Sequence, residues 1–161
     1  MAGDIKLKYG TSGQTITVTL ASLANNGVRE STVIDNSTNL FIDALVGGKI
    51  KSPATATSTT GYVTIYAYGT VDGGTLYSEE ATGTDAAITL TSVPNLKIIG
   101  TINIVANATT YNFGPFSVAS AFNGILPDHW GLIFENKTAG TLDSTGSNHS
   151  VKYQGVCNQY T

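Results

Sequence analysis

Two histidines and a single cysteine are the side chains in this sequence with the clearest potential for catalysis or metal binding. His129 and His149 have Asp128 and Asp143 as possible carboxylate neighbours, and Cys157 lies further along the chain. A catalytic zinc ion normally needs three protein ligands, and His129, His149 and Cys157 could supply them only if the fold brought them together. Nothing in their spacing brings the three together, so histidines in solvated loops are the simpler interpretation. No nucleophile-elbow motif selects a serine for a Ser-His-Asp triad.

Three short motifs approach known signatures, and each departs from its signature at a required position. In residues 142–146, LDSTG, an extra residue separates aspartate from glycine, and no second copy supplies the paired carboxylate of an aspartic protease. Residues 46–49, VGGK, lack the spacing and the following helix of a phosphate-binding loop. Residues 72–74, DGG, lack the oxygen-ligand spacing of a calcium loop. We interpret all three as turns and predict no catalytic residue, no metal and no cofactor.

The strongest candidate for a binding surface is the segment Tyr62–Thr70, YVTIYAYGT. A period of two places Tyr62, Thr64, Tyr66 and Tyr68 on one face of a strand and aliphatic side chains on the other. If the aliphatic face points into the core, the tyrosine face is predicted to be an interface, because tyrosine is enriched in interface cores. The same face would also suit stacking against sugar rings. The alternative is that the tyrosines lie in the core and the small aliphatic side chains face outwards.

Few side chains of the chain are charged. They make up 12% of the 161 residues, against about 25% in an average soluble protein. A net charge of -3 with no basic run argues against nucleic acid or an anionic membrane as partner. No apolar run is long enough for a membrane helix, and none follows the first residues as in a signal peptide. Strand faces carry Thr, Asn and Tyr instead of Lys and Glu, as expected of a surface that becomes covered on assembly.

Apolar residues recur at period two along almost the whole chain, which predicts β-strands. The predicted strands are residues 5–9, 14–20, 28–34, 40–46, 62–70, 87–91, 96–105, 110–116, 130–135 and 150–156, and the turns between them include Gly47-Gly48. Only residues 118–122 have a helical composition. Because the strands are too close together for helical crossovers, we predict an all-β antiparallel β-sandwich, jelly-roll-like, in one domain over residues 1–161.

Two predicted strands are apolar on both faces, residues 96–105 and 130–134. Each is expected to be a central strand that is covered on both sides. Two such strands exceed what one small sandwich covers, so one sheet is expected to pack against another subunit. Residues 1–10 and the low-complexity loop 52–61 are predicted to be further contact segments, since extended chain can add a strand to a partner's sheet.

Several segments in the last two-thirds of the sequence resemble small structural proteins of tailed bacteriophages. They are residues 69–75 (GTVDGGT), 114–118 (GPFSV), 126–136 (LPDHWGLIFEN), 142–149 (LDSTGSNH) and 151–156 (VKYQGV). The resemblance implies a jelly-roll or related β-sandwich subunit with no catalytic residues. Decoration proteins of this kind sit on the capsid, commonly as trimers, and bridge neighbouring major capsid proteins.

The first expectation for function is therefore a capsid decoration (cement) protein of a tailed phage. It would be made in the host cytoplasm and reside on the capsid surface of the virion, with the major capsid protein and further copies of itself, as a homotrimer, for partners. By binding the assembled lattice better than free subunits, it would stabilise the head by mass action. The alternative is a tail or baseplate module that binds host-surface glycan through the tyrosine face.

Overall fold

The computed structural model describes residues 3–55 and 60–161 of the chain. Its strands are β1 (Ile5–Tyr9), β2 (Gln14–Ile16), β3 (Val28–Glu30), β4 (Ile34–Asp35), β5 (Asp43–Lys51), β6 (Tyr62–Thr70), β7 (Lys97–Asn103), β8 (Thr110–Ser117), β9 (His129–Lys137) and β10 (Ser150–Tyr160). Three 3-10 helices of about one turn lie between strands, at Val93–Asn95, Ala119–Phe122 and Gly146–Asn148. In these described residues no helix is long and apolar enough to cross a membrane.

The strands form two antiparallel sheets, ordered β1-β10-β5-β8 and β3-β9-β6-β7. The short strands β1 and β2 both pair with β10, and β3 and β4 both pair with β9. If each of these short pairs is counted as one interrupted strand, the strand order is 1-8-3-6 in the first sheet and 2-7-4-5 in the second. That order, with strands alternating between two facing sheets, is a jelly roll. The prediction of an all-β antiparallel sandwich is confirmed.

The main core lies between the two sheets. Strand β9 contributes Trp130, Leu132 and Phe134 to it, all fully buried, while Ile133 packs in a second cluster on the outer side of the sheet. The prediction that residues 130–134 are covered on both faces is confirmed.

The matching prediction for residues 96–105 is wrong. Strand β7 is the edge strand of its sheet and pairs only with β6. Its Ile98 is 59% exposed, and Ile102 is its one residue in the buried core. A strand that is apolar on both faces is covered only where layers pack against both sides of the sheet. At this edge the cluster on the outer side includes Tyr66 but not Ile98, its partner in the strand pairing.

Gly47-Gly48 lies inside a strand rather than in the predicted turn. Strand β5 continues through both glycines with a register shift against β8. A Cβ on Gly48 would lie 2.0 Å from the carbonyl oxygen of Ser150 on the paired strand β10. Glycine is therefore needed here for the close approach of two backbones and not for a turn.

Two further strand predictions also need correction. Residues 28–34 form two short strands, β3 and β4, instead of one. Residues 87–91 form no strand and are linked to β3 only by an isolated bridge between Ala87 and Arg29.

Candidate assembly surface

The tyrosine face of β6 is buried within the chain itself. Relative exposure is 5% for Thr64, 4% for Tyr66 and 0% for Tyr68, and only Tyr62, at the start of the strand, is substantially exposed at 39%. The aliphatic side chains on the opposite face are buried in the main core. The predicted interface stripe is therefore wrong for Thr64, Tyr66 and Tyr68. The alternative is confirmed in placing Tyr66 and Tyr68 in a buried cluster and wrong in placing the small aliphatic side chains outwards.

Residues 71–96, which we call the cover segment, bury this face. The segment connects β6 to β7 and crosses the outer side of the second sheet. Tyr68 meets Tyr77 of the cover segment edge to face, with ring centroids 5.4 Å apart at 87°. Gly131 on β9 makes room for the ring of Tyr68, because a Cβ there would lie 2.3 Å from a ring carbon. The other apolar members of this cluster are Val28, Tyr66, Ala81, Ile88, Leu90, Leu96 and Ile133.

Hydrogen bonds satisfy the polar ends of the buried tyrosines. The Tyr68 hydroxyl donates to the carbonyl oxygen of Ser31 at 2.7 Å, and the Tyr66 hydroxyl donates to Oε2 of Glu135 at 2.9 Å. Burial, together with the bond to the negatively charged Glu135, raises the pKa of Tyr66 to about 12. Burial also raises the pKa of Tyr68, helped by the negative charge of Glu30. These hydroxyls are occupied inside the protein and present no platform for a sugar or a partner.

Two acidic contacts attach the cover segment to β3. Glu30 is fully buried, and its carboxylate accepts hydrogen bonds from the Thr82 amide at 2.8 Å, the Thr82 hydroxyl at 2.6 Å and the Gly83 amide at 3.2 Å. On the adjacent residue, Arg29 Nε lies 2.6 Å from Oδ1 of Asp85. The cover is thus fixed by charge-assisted hydrogen bonds as well as by apolar packing.

The histidines occupy separate structural positions. His129 lies between two carboxylates, with Nε2 3.8 Å from Asp35 and Nδ1 3.5 Å from Asp128. The His149 ring Nε2 lies 2.9 Å from the backbone oxygen of Asp143. Across residues 3–55 and 60–161, no group of three or more His, Cys, Asp or Glu side chains is placed to hold a metal ion.

The exposed apolar surface lies elsewhere, on a two-stranded ribbon. Strand β5 pairs with β10 only as far as Val156, whereas β1 pairs with β10 from Val156 to Tyr160. Residues 5–8 and 157–160 therefore extend past the rest of their sheet as two strands, and in the described chain neither outer edge pairs with another strand. We call these residues the ribbon.

One face of the ribbon is apolar and the other is basic. Ile5 is 73% exposed, Leu7 66% and Tyr160 72%, and Ile5 and Tyr160 are opposite each other in the strand pairing. Lys6 and Lys8 alternate with the apolar residues and point to the other face. Long apolar edge strands attract further strands or a covering partner.

An apolar groove lies at the same end of the sandwich. It has a volume of about 360 Å³ and is lined by Gly69, Thr70, Val71, Leu76, Tyr77, Ser78, Phe122 and Pro127. Ile42 connects it to the ribbon: its carbonyl accepts from the Leu126 amide at 3.2 Å, and its amide donates to the Val156 carbonyl at 2.8 Å. Leu40 and Ile125, 71% and 75% exposed, occur in the loops on either side of this link.

The predicted contact segments 1–10 and 52–61 are described in part. Ile5–Tyr9 forms the exposed strand β1, as the alternation predicts, while Met1, Ala2 and residues 56–59 lie outside the described residues. The alternation of IKLKY indicated a strand with one apolar face, and the structure shows that none of the described residues covers that face.

Comparison with known proteins gives one structural similarity. No protein-family model and no curated protein matches the chain. A chain from a structure titled Desmodium yellow mottle tymovirus aligns with a TM-score of 0.37 and 12% sequence identity, covering 100% of this chain and 89% of that chain.

Proposed function

We propose that this protein is a structural subunit of a virion, a decoration protein that stabilises the assembled head of a tailed phage by bridging major capsid proteins. The observation that carries the proposal is the concentration of exposed apolar side chains at one end of an otherwise well-packed jelly roll, on the ribbon and around the groove. The resemblance of residues 126–136, 142–149 and 151–156 to phage structural proteins supports the same assignment.

The chemistry of the surface is consistent with binding rather than catalysis. The carboxylates with lowered pKa serve turns and ion pairs: Asp72 accepts hydrogen bonds from Thr70, Thr75 and Leu76, and Asp143 accepts from Asn148 and Thr145 while lying 3.2 Å from Lys51. These groups are committed to local structure. The proposal therefore assigns no reaction to the chain.

The mechanism we propose is linkage between binding and assembly. A subunit that contacts two neighbouring capsid proteins binds the closed lattice more tightly than either free protein, so it shifts the equilibrium towards the closed head. Exposed apolar side chains on a strand with a free edge suit assembly with capsid protein or with further copies of the chain, because backbone hydrogen bonds add affinity where the side chains are buried.

The composition of purified particles tests the proposal. We expect the chain in tail-less heads at a stoichiometry that matches a symmetric lattice position, and heads that lack it to open at lower temperature. Adding back purified protein should restore the opening temperature. Finding the chain only in tails, or finding heads equally stable without it, would contradict the proposal.

The glycan-binding alternative has lost its structural basis. It depended on an exposed row of tyrosines, and Tyr66 and Tyr68 are buried under the cover segment.

A further inference from the structure

The basic side chains of the ribbon disfavour pairing between two ribbons. If two β1 strands paired antiparallel about a two-fold axis at Leu7, Lys6 of one copy would lie opposite Lys8 of the other. Like charges directly opposite each other destabilise a strand pair. Moving the register by one residue would place Lys6 opposite Leu7, so that basic and apolar faces would meet. The ribbon is therefore better suited to a partner surface that is apolar and carries acidic rather than basic side chains.

The groove at the same end of the molecule has those two properties. Its apolar walls include Val71, 99% exposed, and Leu76, 75% exposed. In the cover segment, which forms one wall and has no lysine or arginine, Asp72 adjoins Val71 and accepts a hydrogen bond from the Leu76 amide at 3.1 Å, and Glu79 adjoins Ser78 of the lining. On the other side, Asp128 adjoins Pro127 of the lining, and its side chain is 45% exposed.

Asp35 adds a further negative charge beside the groove. Its carboxylate is 59% exposed and lies 3.8 Å from His129. A Cβ on Gly74 of the cover segment would lie within 3.6 Å of the same histidine ring, so Asp35 lies beside the turn that contains Asp72. The groove therefore has apolar walls and an acidic rim, formed by Asp35, Asp72, Glu79 and Asp128.

We propose that the ribbon of one copy docks in the groove of a second copy of this chain. The ribbon would enter edge-on, because its apolar and basic faces are opposite each other. Ile5 and Leu7 would then bury against Val71 and Leu76 of the cover segment, while Lys6 and Lys8 would meet Asp128 on the other side of the groove. Charge complementarity within a single sequence identifies the second copy as the occupant, because the basic strand and the acidic groove belong to the same chain. This contact would join copies of the proposed virion subunit to each other, and its biological role rests on that proposed function.

The placement of both elements at one end allows a closed assembly. Two copies related by a two-fold axis exchange ribbons, so each contact is made twice. In copies related by a three-fold axis, the ribbon of each copy binds the groove of the next, which closes a ring of three. In both cases the number of ribbons equals the number of grooves, and no ribbon is left unpaired.

The mass of the purified chain in solution, measured by light scattering after size-exclusion chromatography, tests the contact directly. We expect dimers or trimers for the native chain, and at least about a tenfold weaker association for Leu7→Glu and for Leu76→Glu. Val105→Glu is the matched control, because Val105 is 53% exposed and lies beyond β7, away from the groove. Circular dichroism and thermal unfolding of each variant show that it is folded.

Charge reversal tests the acidic rim. The double variant Lys6→Glu/Lys8→Glu should weaken association, and combining it with Asp128→Lys should recover part of the loss. Association of the native chain should also weaken with added salt, because exposed charges are screened. If reversal on both sides gives no recovery and salt has no effect, the charge complementarity that selects the second copy is contradicted.

The single cysteine allows the contact to be mapped by cross-linking. Cys157 lies in the ribbon opposite Lys8 and is the one cysteine of the sequence. The native chain is mixed with a Val71→Cys/Cys157→Ser variant that carries a tag to change its mass. Each molecule then has one thiol, in the ribbon of the native chain and in the groove of the variant. A bismaleimide should link the ribbon of one to the groove of the other. The control Val105→Cys/Cys157→Ser should give little heterodimer.

The outcomes separate the contact from the virion function. A monomeric native chain at all concentrations, or an oligomer that Leu7→Glu and Leu76→Glu leave unchanged, overturns the ribbon-in-groove contact. Neither result bears on the virion function, which the composition of purified heads tests separately. An oligomer sensitive to both variants, found in a chain absent from heads, would retain the contact and overturn the virion function.

Discussion

The tyrosine face of β6 and the apolar face of the ribbon begin from the same kind of sequence and end in opposite environments. Both strands alternate with period two and place large side chains on one face. Tyr68 is fully buried, whereas Leu7 is 66% exposed. The difference arises outside the strands: β6 is followed by the cover segment, and no segment of the described chain crosses the ribbon. Alternation shows that a face needs a cover, but not which molecule supplies it.

The two faces should therefore contribute differently to stability. Burying a large apolar side chain contributes roughly 1.5–3 kcal/mol, and the tyrosine face gains this when the chain folds. The ribbon gains it only on association, because Ile5, Leu7 and Tyr160 are exposed in the folded chain. Substitutions on the two faces should separate folding from assembly.

The largest expected effect is that of Tyr68→Ala. Loss of a fully buried aromatic ring next to Tyr77 should cost about 3–5 kcal/mol in the free energy of unfolding, measured by urea denaturation. Tyr68→Phe keeps the ring and loses only the bond to Ser31, and should cost about 1–2 kcal/mol. If Tyr68→Ala lowers the free energy of unfolding no more than a substitution at Leu7 does, the proposed difference between the two faces is contradicted.

The anchor of the cover segment should show the next largest effect. Glu30→Ala leaves the amides of Thr82 and Gly83 and the Thr82 hydroxyl without their acceptor, and should cost about 3 kcal/mol in urea denaturation. Glu30→Gln retains one acceptor oxygen and should cost less. Hydrogen exchange should become faster in residues 71–96 for Glu30→Ala. Unchanged protection there would show that the apolar contacts alone hold the cover.

Alkaline titration reports on the same face. Because the folded pKa of Tyr66 is raised to about 12, its contribution to stability is fully present below about pH 10, the pKa of an unperturbed tyrosine. It is lost as the pH rises towards 12. Absorbance of tyrosinate should show a late step near pH 12 that Tyr66→Phe removes. A spectrum in which all tyrosines ionise together near pH 10 would mean that the cover opens readily.

The smallest effect on folding should come from the ribbon. Leu7→Ser changes an exposed side chain and should alter the free energy of unfolding of the monomer by no more than about 0.5 kcal/mol. Thermal unfolding at low protein concentration measures this, where association does not contribute. A large loss of stability in the monomer would mean that the ribbon already packs against its own chain.

Period-two alternation was sufficient to predict the all-β class and strands β1 and β6 to the residue. It did not distinguish β7 from β9, because both are apolar on two faces and only their positions in the sheet differ. The turn assigned to Gly47-Gly48 failed for a related reason: glycine marks close backbone approach as well as turns, and the approaching strand β10 is distant in the sequence.

The sequence by itself determined which side chains require burial, since alternation and side-chain chemistry are local properties of the chain. It also determined the low charge and the basic alternation of IKLKY. Only the tertiary structure decided which of these apolar faces another segment of the chain covers. The cover segment hides the tyrosines, while the ribbon extends beyond its sheet with Ile5 and Leu7 exposed. Burial depends on contacts between residues far apart in the chain, and these exist only once the two sheets have formed.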